Sequence, residues 1–145
     1  MKLDKRKFWM CLSPLLAGLT DYALTIMGQG PKYWSGNYSA VREAAPHARW
    51  LLLHHPAMLI GAAALYILAY CAFIVLLPVR ISKTLVIALV IGHCWGVATW
   101  FQYYFNGYWS CILYFILCAA LIAYSFELAD RKPTIRDQSE NLPGN

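Results

Sequence analysis

The chain has 145 residues, of which 60% are hydrophobic and 13% charged; a soluble domain carries nearer a quarter charged residues, so the composition points to a membrane protein. Its formal charge of +5 comes from short basic flanks rather than from a patch interleaved with aromatic residues, which excludes nucleic acid as the expected partner and makes the flanks topology signals. The five cysteines, Cys11, Cys71, Cys94, Cys111 and Cys118, all fall inside apolar runs without a CxxC, and read as small buried hydrophobes rather than a disulfide framework.

The basic leader MKLDKRK precedes a first apolar run over 8–29. As a helix at ~1.5 Å per residue, a run of this length covers ~33 Å, enough to cross a ~30 Å hydrocarbon core. A signal peptide is the competing reading. No small-x-small cleavage site follows, and Asp21 stands where the apolar core should continue, so the segment is expected to be a retained helix.

The stretch 30–49, GPKYWSGNYSAVREAAPHAR, is the long outer loop. Its glycines and prolines break any long helix. SAVREAA can form a short interfacial turn capped by Ser39 or Asn37, and Tyr33, Trp34 and Asn37 are expected to form an outer lid. The second span is placed at 50–77, with either Pro46 or Pro56 able to open it as first helical residue. The third and fourth spans, 84–105 and 109–127, flank the turn-like Asn106-Gly107 and predict a hairpin. A tail over 131–145 carries prolines and mixed polar residues and no recognisable chemistry.

The expected fold is an all-α integral membrane protein: one domain over 1–130 forming a four-helix transmembrane bundle with antiparallel up-down connectivity. Nine of the twelve basic residues lie in the leader (Lys2, Lys5, Arg6, Lys7), the second connection (Arg80, Lys83) and the tail (Arg131, Lys132, Arg136). The positive-inside rule therefore predicts that both termini are cytoplasmic, and the expected location is a bacterial inner membrane.

Polar residues within or beside the spans mark the candidate site. An acid at membrane depth costs about 2.5 to 3.5 kcal/mol on insertion scales, so Asp21 calls for a partner. Asp21, Thr25 and Gln29 recur every four residues and share a helix face, which cannot look at lipid. His54, His55, His93 and Gln102 supply the possible partners. Ala88, Gly92 and Gly96 make a small-xxx-small stripe that should bring a neighbouring helix close beside His93. Counting from the outer helix ends puts Asp21 at ~12 Å depth and His93 at ~18 Å, with His55 at ~13 Å if its helix begins at Pro46. That count ranks His55 as the first partner of Asp21, His54 second and His93 third, with Thr25 as a nearby hydroxyl donor.

Each of these residues also has a plain structural reading. Asp21 could simply fix helix contacts, His54 and His55 could be interfacial residues satisfied by water, and His93 could be a core histidine bonded to a carbonyl. The tyrosines and tryptophans suit an interfacial belt. No GxSxG, no HExxH and no second intramembrane acid is present, so serine or zinc hydrolase chemistry and a carboxylate dyad lack their parts.

The function expected is a small multi-pass protein with an outward-facing polar pocket that binds a lipid, an apolar small molecule or a partner membrane subunit, without a cofactor. The alternative is a membrane enzyme or redox subunit, with Asp21 and His54, His55 or His93 moving protons, or with His55 and His93 ligating haem or a metal. A channel or transporter is the outsider, since the sequence has no obvious inverted repeat.

Overall fold

A computed structural model of the chain describes residues 5–105 and 107–131. Residues 1–4 of the leader, Asn106 of the expected turn and the tail from Lys132 onward lie outside the described residues. Among the described residues the secondary structure is helical, without strands. A 3-10 segment, Lys5–Cys11, leads into α1 (Leu12–Met27). The outer stretch holds α2 (Pro31–Trp34), a 3-10 turn at Tyr38–Ala40 and α3 (Pro46–His54). The remaining helices are α4 (Pro56–Leu76), α5 (Val79–Phe105) and α6 (Tyr108–Asp130).

Four of the described helical stretches are long and apolar enough to cross a membrane: Arg6–Met27, Pro56–Leu76, Val79–Tyr104 and Tyr108–Asp130. Large apolar side chains such as Leu65, Leu68, Ile91 and Ile116 are exposed on them. Isolated exposed leucines are ordinary, but continuous apolar exposure along several helices fits a protein solvated by lipid.

Proline placement explains most of the element boundaries. α2, α3 and α4 each begin with proline, whose missing N–H costs nothing in the first turn. The two possible starts of the second span are both used. Pro56 forces the preceding residue out of the helical region, and His55 adopts φ −171°, ψ 142°. His55 Nδ1 then accepts from the Ala57 N–H at 3.1 Å and caps α4. The single predicted helix over 50–77 is thus two helices with an extended residue between them.

Other boundaries shift for equally local reasons. α5 starts at Val79, five residues before the expected 84, directly after Pro78. The buried Ser82 hydroxyl faces three carbonyl oxygens, of Ile74, Leu77 and Pro78, at 2.8–3.2 Å, and fastens the start of α5 to the end of α4. Arg80 and Lys83, expected in a loop, are therefore helical. α6 runs on to Asp130, where Lys83 Nζ meets Asp130 Oδ2 at 2.7 Å. In the outer stretch, Asn37 does precede the 3-10 turn but makes no side-chain cap, and residues 41–44 are irregular.

Three apolar clusters hold the elements together. Met10, Cys11, Tyr70, Ile74 and Val86 join the 3-10 segment to α4 and α5. Ala17, Val90, Cys94 and Cys118 join α1, α5 and α6. Tyr33, Val41, Ala48, Leu52 and Leu59 lie between the outer stretch, α3 and α4. Polar bolts add direction: Ser13 Oγ and Ser125 Oγ are 3.2 Å apart between α1 and α6, and the Tyr70 hydroxyl donates to Pro14 O at 3.1 Å. Buried bonds of this kind fix which faces meet, because breaking one leaves a desolvated polar atom. α4 and α5 touch closely near their connection, through Ile74 and Val86. Farther along, the same two helices line a cavity.

Candidate functional site

α1 ends at Met27, so of the three polar residues expected on its shared face only Asp21 and Thr25 are helical and Gln29 lies just beyond the Gly28 cap, yet each turns inward to a different partner. Asp21 Oδ2 lies 3.0 Å from His93 Nδ1. A carboxylate only accepts, so the Nδ1 proton is assigned to the imidazole. Thr25 Oγ1 accepts from Trp100 Nε1 at 3.0 Å. Gln29 ties the outer stretch to α1: its Nε2 donates to Thr25 O at 2.8 Å and Arg42 O at 3.0 Å, and its Oε1 accepts from the Arg42 N–H at 2.8 Å.

Two glycines make the Asp21–His93 contact possible. A Cβ on Gly96 would stand 2.7 Å from Asp21 Cγ, and one on Gly18 would stand 3.1 Å from His93 Nε2. A Cβ on Gly96 would drive α1 and α5 apart or displace the carboxylate, whereas one on Gly18 would require the imidazole to give by a few tenths of an ångström. A third, Gly28, admits the Trp100 ring, and its carbonyl accepts from the Tyr104 hydroxyl at 2.8 Å. The imidazole is further enclosed by Tyr22 and Tyr66, edge-on at centroid distances of 5.6 and 6.2 Å.

The pairing corrects the expected order of partners. His93, ranked third, is the residue that meets Asp21, and His55 and His54 do not. His55 is spent on the α4 cap and rests its ring against Tyr38, while His54 Nδ1 bonds Trp50 O at 2.8 Å. The depth count failed because it assumed that α1 and α5 end at one level. The contacts 21 to 93, 25 to 100 and 28 to 104 show α5 continuing past the end of α1, so a residue twelve positions before its outer end still lies level with Asp21.

Asp21, Thr25 and His93 line a cleft of about 760 Å³. One wall is Ala62, Ala63 and Tyr66 of α4, and the other is Ala88, Gly92 and Gly96 of α5. Glu43, His47 and Leu51 close the outer end. Ala88, Gly92 and Tyr66 are exposed, so the cleft opens sideways between α4 and α5. The expected small-residue stripe therefore does two jobs. Gly96 takes the close contact, whereas Gly92 has open space beyond it and shapes the cleft.

The remaining predicted residues are placed as follows. Gln102 is exposed and is not among the cleft residues, because a rotation of two residues from Trp100 turns it off the α1 face. Trp34 and Asn37 are exposed, whereas Tyr33 is fully buried and its hydroxyl donates to Leu52 O at 2.9 Å. Burial pushes the Tyr33 phenol above its usual value, with Tyr38 adding to the effect. It anchors the outer stretch rather than lining the cleft. Sequence reasoning missed Tyr22, His47, Tyr66 and Trp100. Trp100 had a readable signal, standing four residues after Gly96 on the same face as the small stripe.

The buried His93 Nε2 has no hydrogen-bond partner among the described residues. It lies beside Gly18, where an added Cβ would stand 3.1 Å from it, and Gly18 does not line the cleft. Among the described residues, no group of three or more histidine, cysteine, aspartate or glutamate side chains is placed to hold a metal ion. Comparison with protein-family models, curated proteins and solved structures gives no match to this chain.

Proposed function

We propose that this is a multi-pass membrane protein that takes a lipid or an apolar small molecule from the bilayer into the cleft between α4 and α5, without a cofactor. The supporting observation is a cleft with apolar walls, open on the flank of the bundle, whose lining between its outer residues and Leu85 carries the Asp21–His93 pair. Sites for amphipathic ligands have this build, with broad apolar area for affinity and a few fixed polar groups for orientation. In this reading the apolar body rests on Ala62, Ala88 and Gly92, and its polar end meets Asp21.

The same reading assigns an orientation. The membrane is taken to be a bacterial inner membrane, and an up-down bundle with both termini cytoplasmic is supported by Lys7, which bonds the Leu77 and Val75 carbonyls, and by Lys83 beside Asp130. These basic residues gather with Arg80 and Arg131 at the end expected to face the cytoplasm. The contacts of α1 and α5 rise together along both helices, as the first and third spans of an alternating bundle must.

A second reading draws on the orphaned Nε2 of His93. An imidazole that donates from Nδ1 to a carboxylate keeps a lone pair at Nε2, the arrangement of a general base. In that case the protein is a membrane enzyme or proton carrier, and its substrate must reach the Gly18 side of the imidazole rather than the cleft. The larger opening favours ligand binding.

The test is mass spectrometry of molecules that co-purify with the protein. Gly92→Trp fills the cleft without displacing backbone, since nothing lies within 4 Å of the added Cβ. The wild type should carry a lipid or apolar molecule that Gly92→Trp lacks. An identical set of molecules on both proteins would refute the assignment.

A further inference from the structure

The charges of the cleft go beyond apolar binding. Of the described residues that line it, Asp21 and Glu43 are acidic and none is lysine or arginine. With His47 and His93 neutral, the two carboxylates give the lining a formal charge of −2. Each keeps an oxygen for a ligand. Asp21 gives Oδ2 to His93 and holds Oδ1 over Gly96, while Glu43 Oε1 accepts from the Ala45 N–H at 2.8 Å and leaves Oε2.

The walls reinforce that charge. Tyr22, Tyr66, Trp95 and Trp100 all line the cleft, and aromatic faces attract cations more strongly once water is excluded. Two guanidiniums stand near Glu43 without lining the cleft: Arg49 Nη1 lies 3.4 Å from the Glu43 carbonyl oxygen, and Arg42, 5.8 Å from the centre of the Tyr103 ring, lines an adjoining recess of about 350 Å³ that shares Glu43, Thr99 and Trp100 with the cleft. In a low-dielectric setting, two carboxylates in a lining without lysine or arginine favour a cation in the cavity, most strongly at Asp21, the one of the two away from Arg42 and Arg49.

Building on the ligand-binding reading above, we infer that the cleft selects amphipathic organic cations, an amine or quaternary ammonium on an apolar body, entering from the lipid side. The charged centre sits between Asp21 and Glu43, and the apolar body lies along Ala62, Ala88 and Gly92. A cavity of about 760 Å³ is within the usual range of about 300 to 1,000 Å³ for small-molecule sites.

Tetraphenylphosphonium and tetraphenylborate have matched shapes and opposite charges, which isolates the charge preference. Binding of each to the full chain in nonionic detergent, measured against protein-free micelles, should favour the phosphonium by about tenfold or more, a ratio in reach of one or two desolvated charges. Asp21→Asn, in which the amide oxygen still accepts from His93, and Glu43→Gln should each weaken phosphonium binding, and the double variant should erase the preference. Gly92→Trp should abolish binding of both ions. Equal binding of both ions, or binding of neither, overturns the cation inference; whether the wild type still loses a co-purifying lipid on Gly92→Trp decides the ligand-binding reading separately. Phosphonium binding that survives Gly92→Trp, or a preference that survives the double variant, overturns the inference by placing the cation elsewhere.

Discussion

At the scale of single residues, the protein turns on how Asp21 is accommodated. Its carboxylate is half of a contact whose other half, His93, is 72 positions away, and glycines at 18 and 96 supply the space. The two substitutions of Asp21 separate chemistry from shape. Asp21→Asn should retain most of the stability, because its amide oxygen accepts from Nδ1 as the carboxylate does. Asp21→Leu leaves the imidazole without any partner and should cost about 1 to 3 kcal/mol, the usual penalty for stranding a buried polar group. Denaturation in detergent, followed by circular dichroism, measures both; equal losses in the two variants would show that the hydrogen bond contributes nothing. That Asp21 would face inward was legible in the sequence, because three polar residues at a four-residue spacing share a face. Its partner was not, because the vertical offset of two helices is set by contacts such as Trp100 in the hollow at Gly28, and no local pattern encodes it.

At the scale of elements, local chemistry was most readable where proline and glycine dictate it. Pro46 and Pro56 were both recognisable as helix starts, and the chain uses both by making His55 extended. Treating them as alternatives was the error. A histidine before proline is biased out of the helix, and here its ring supplies the cap that the next helix needs. The outer stretch was legible as a breaker-rich segment with lid-like residues, but not as a tethered one. Gln29 bonds both the backbone N–H and the carbonyl of Arg42, and Tyr33 is buried against Leu52. Side chains assigned by pattern to a pocket and a lid thus serve to hold that segment down. The early start of α5 has a similar origin, since Ser82 fastens it to the end of α4 in a way that hydropathy does not register.

At the scale of the whole molecule, the number of spans was legible from composition because each apolar run must satisfy its own backbone in lipid, and a helix does so within the run. The cleft was not, since it arises where α4 and α5 are held together near their connection and lined by small residues beyond it. The proposed orientation places 35 and 138 on opposite sides of the membrane. Single cysteines at Ser35 and Gln138, in a chain whose native cysteines are replaced, should react with an impermeant thiol reagent from opposite faces of sealed vesicles; labelling of both from the same face would reject it. The measurement that bears most directly on the account is an experimental structure of the wild-type protein purified with its native lipids. The account predicts ligand density between Ala62, Tyr66, Ala88 and Gly92, with its polar end within hydrogen-bond reach of Asp21. A cleft closed by direct contact of α4 with α5, or ligand density only elsewhere on the bundle, would contradict it.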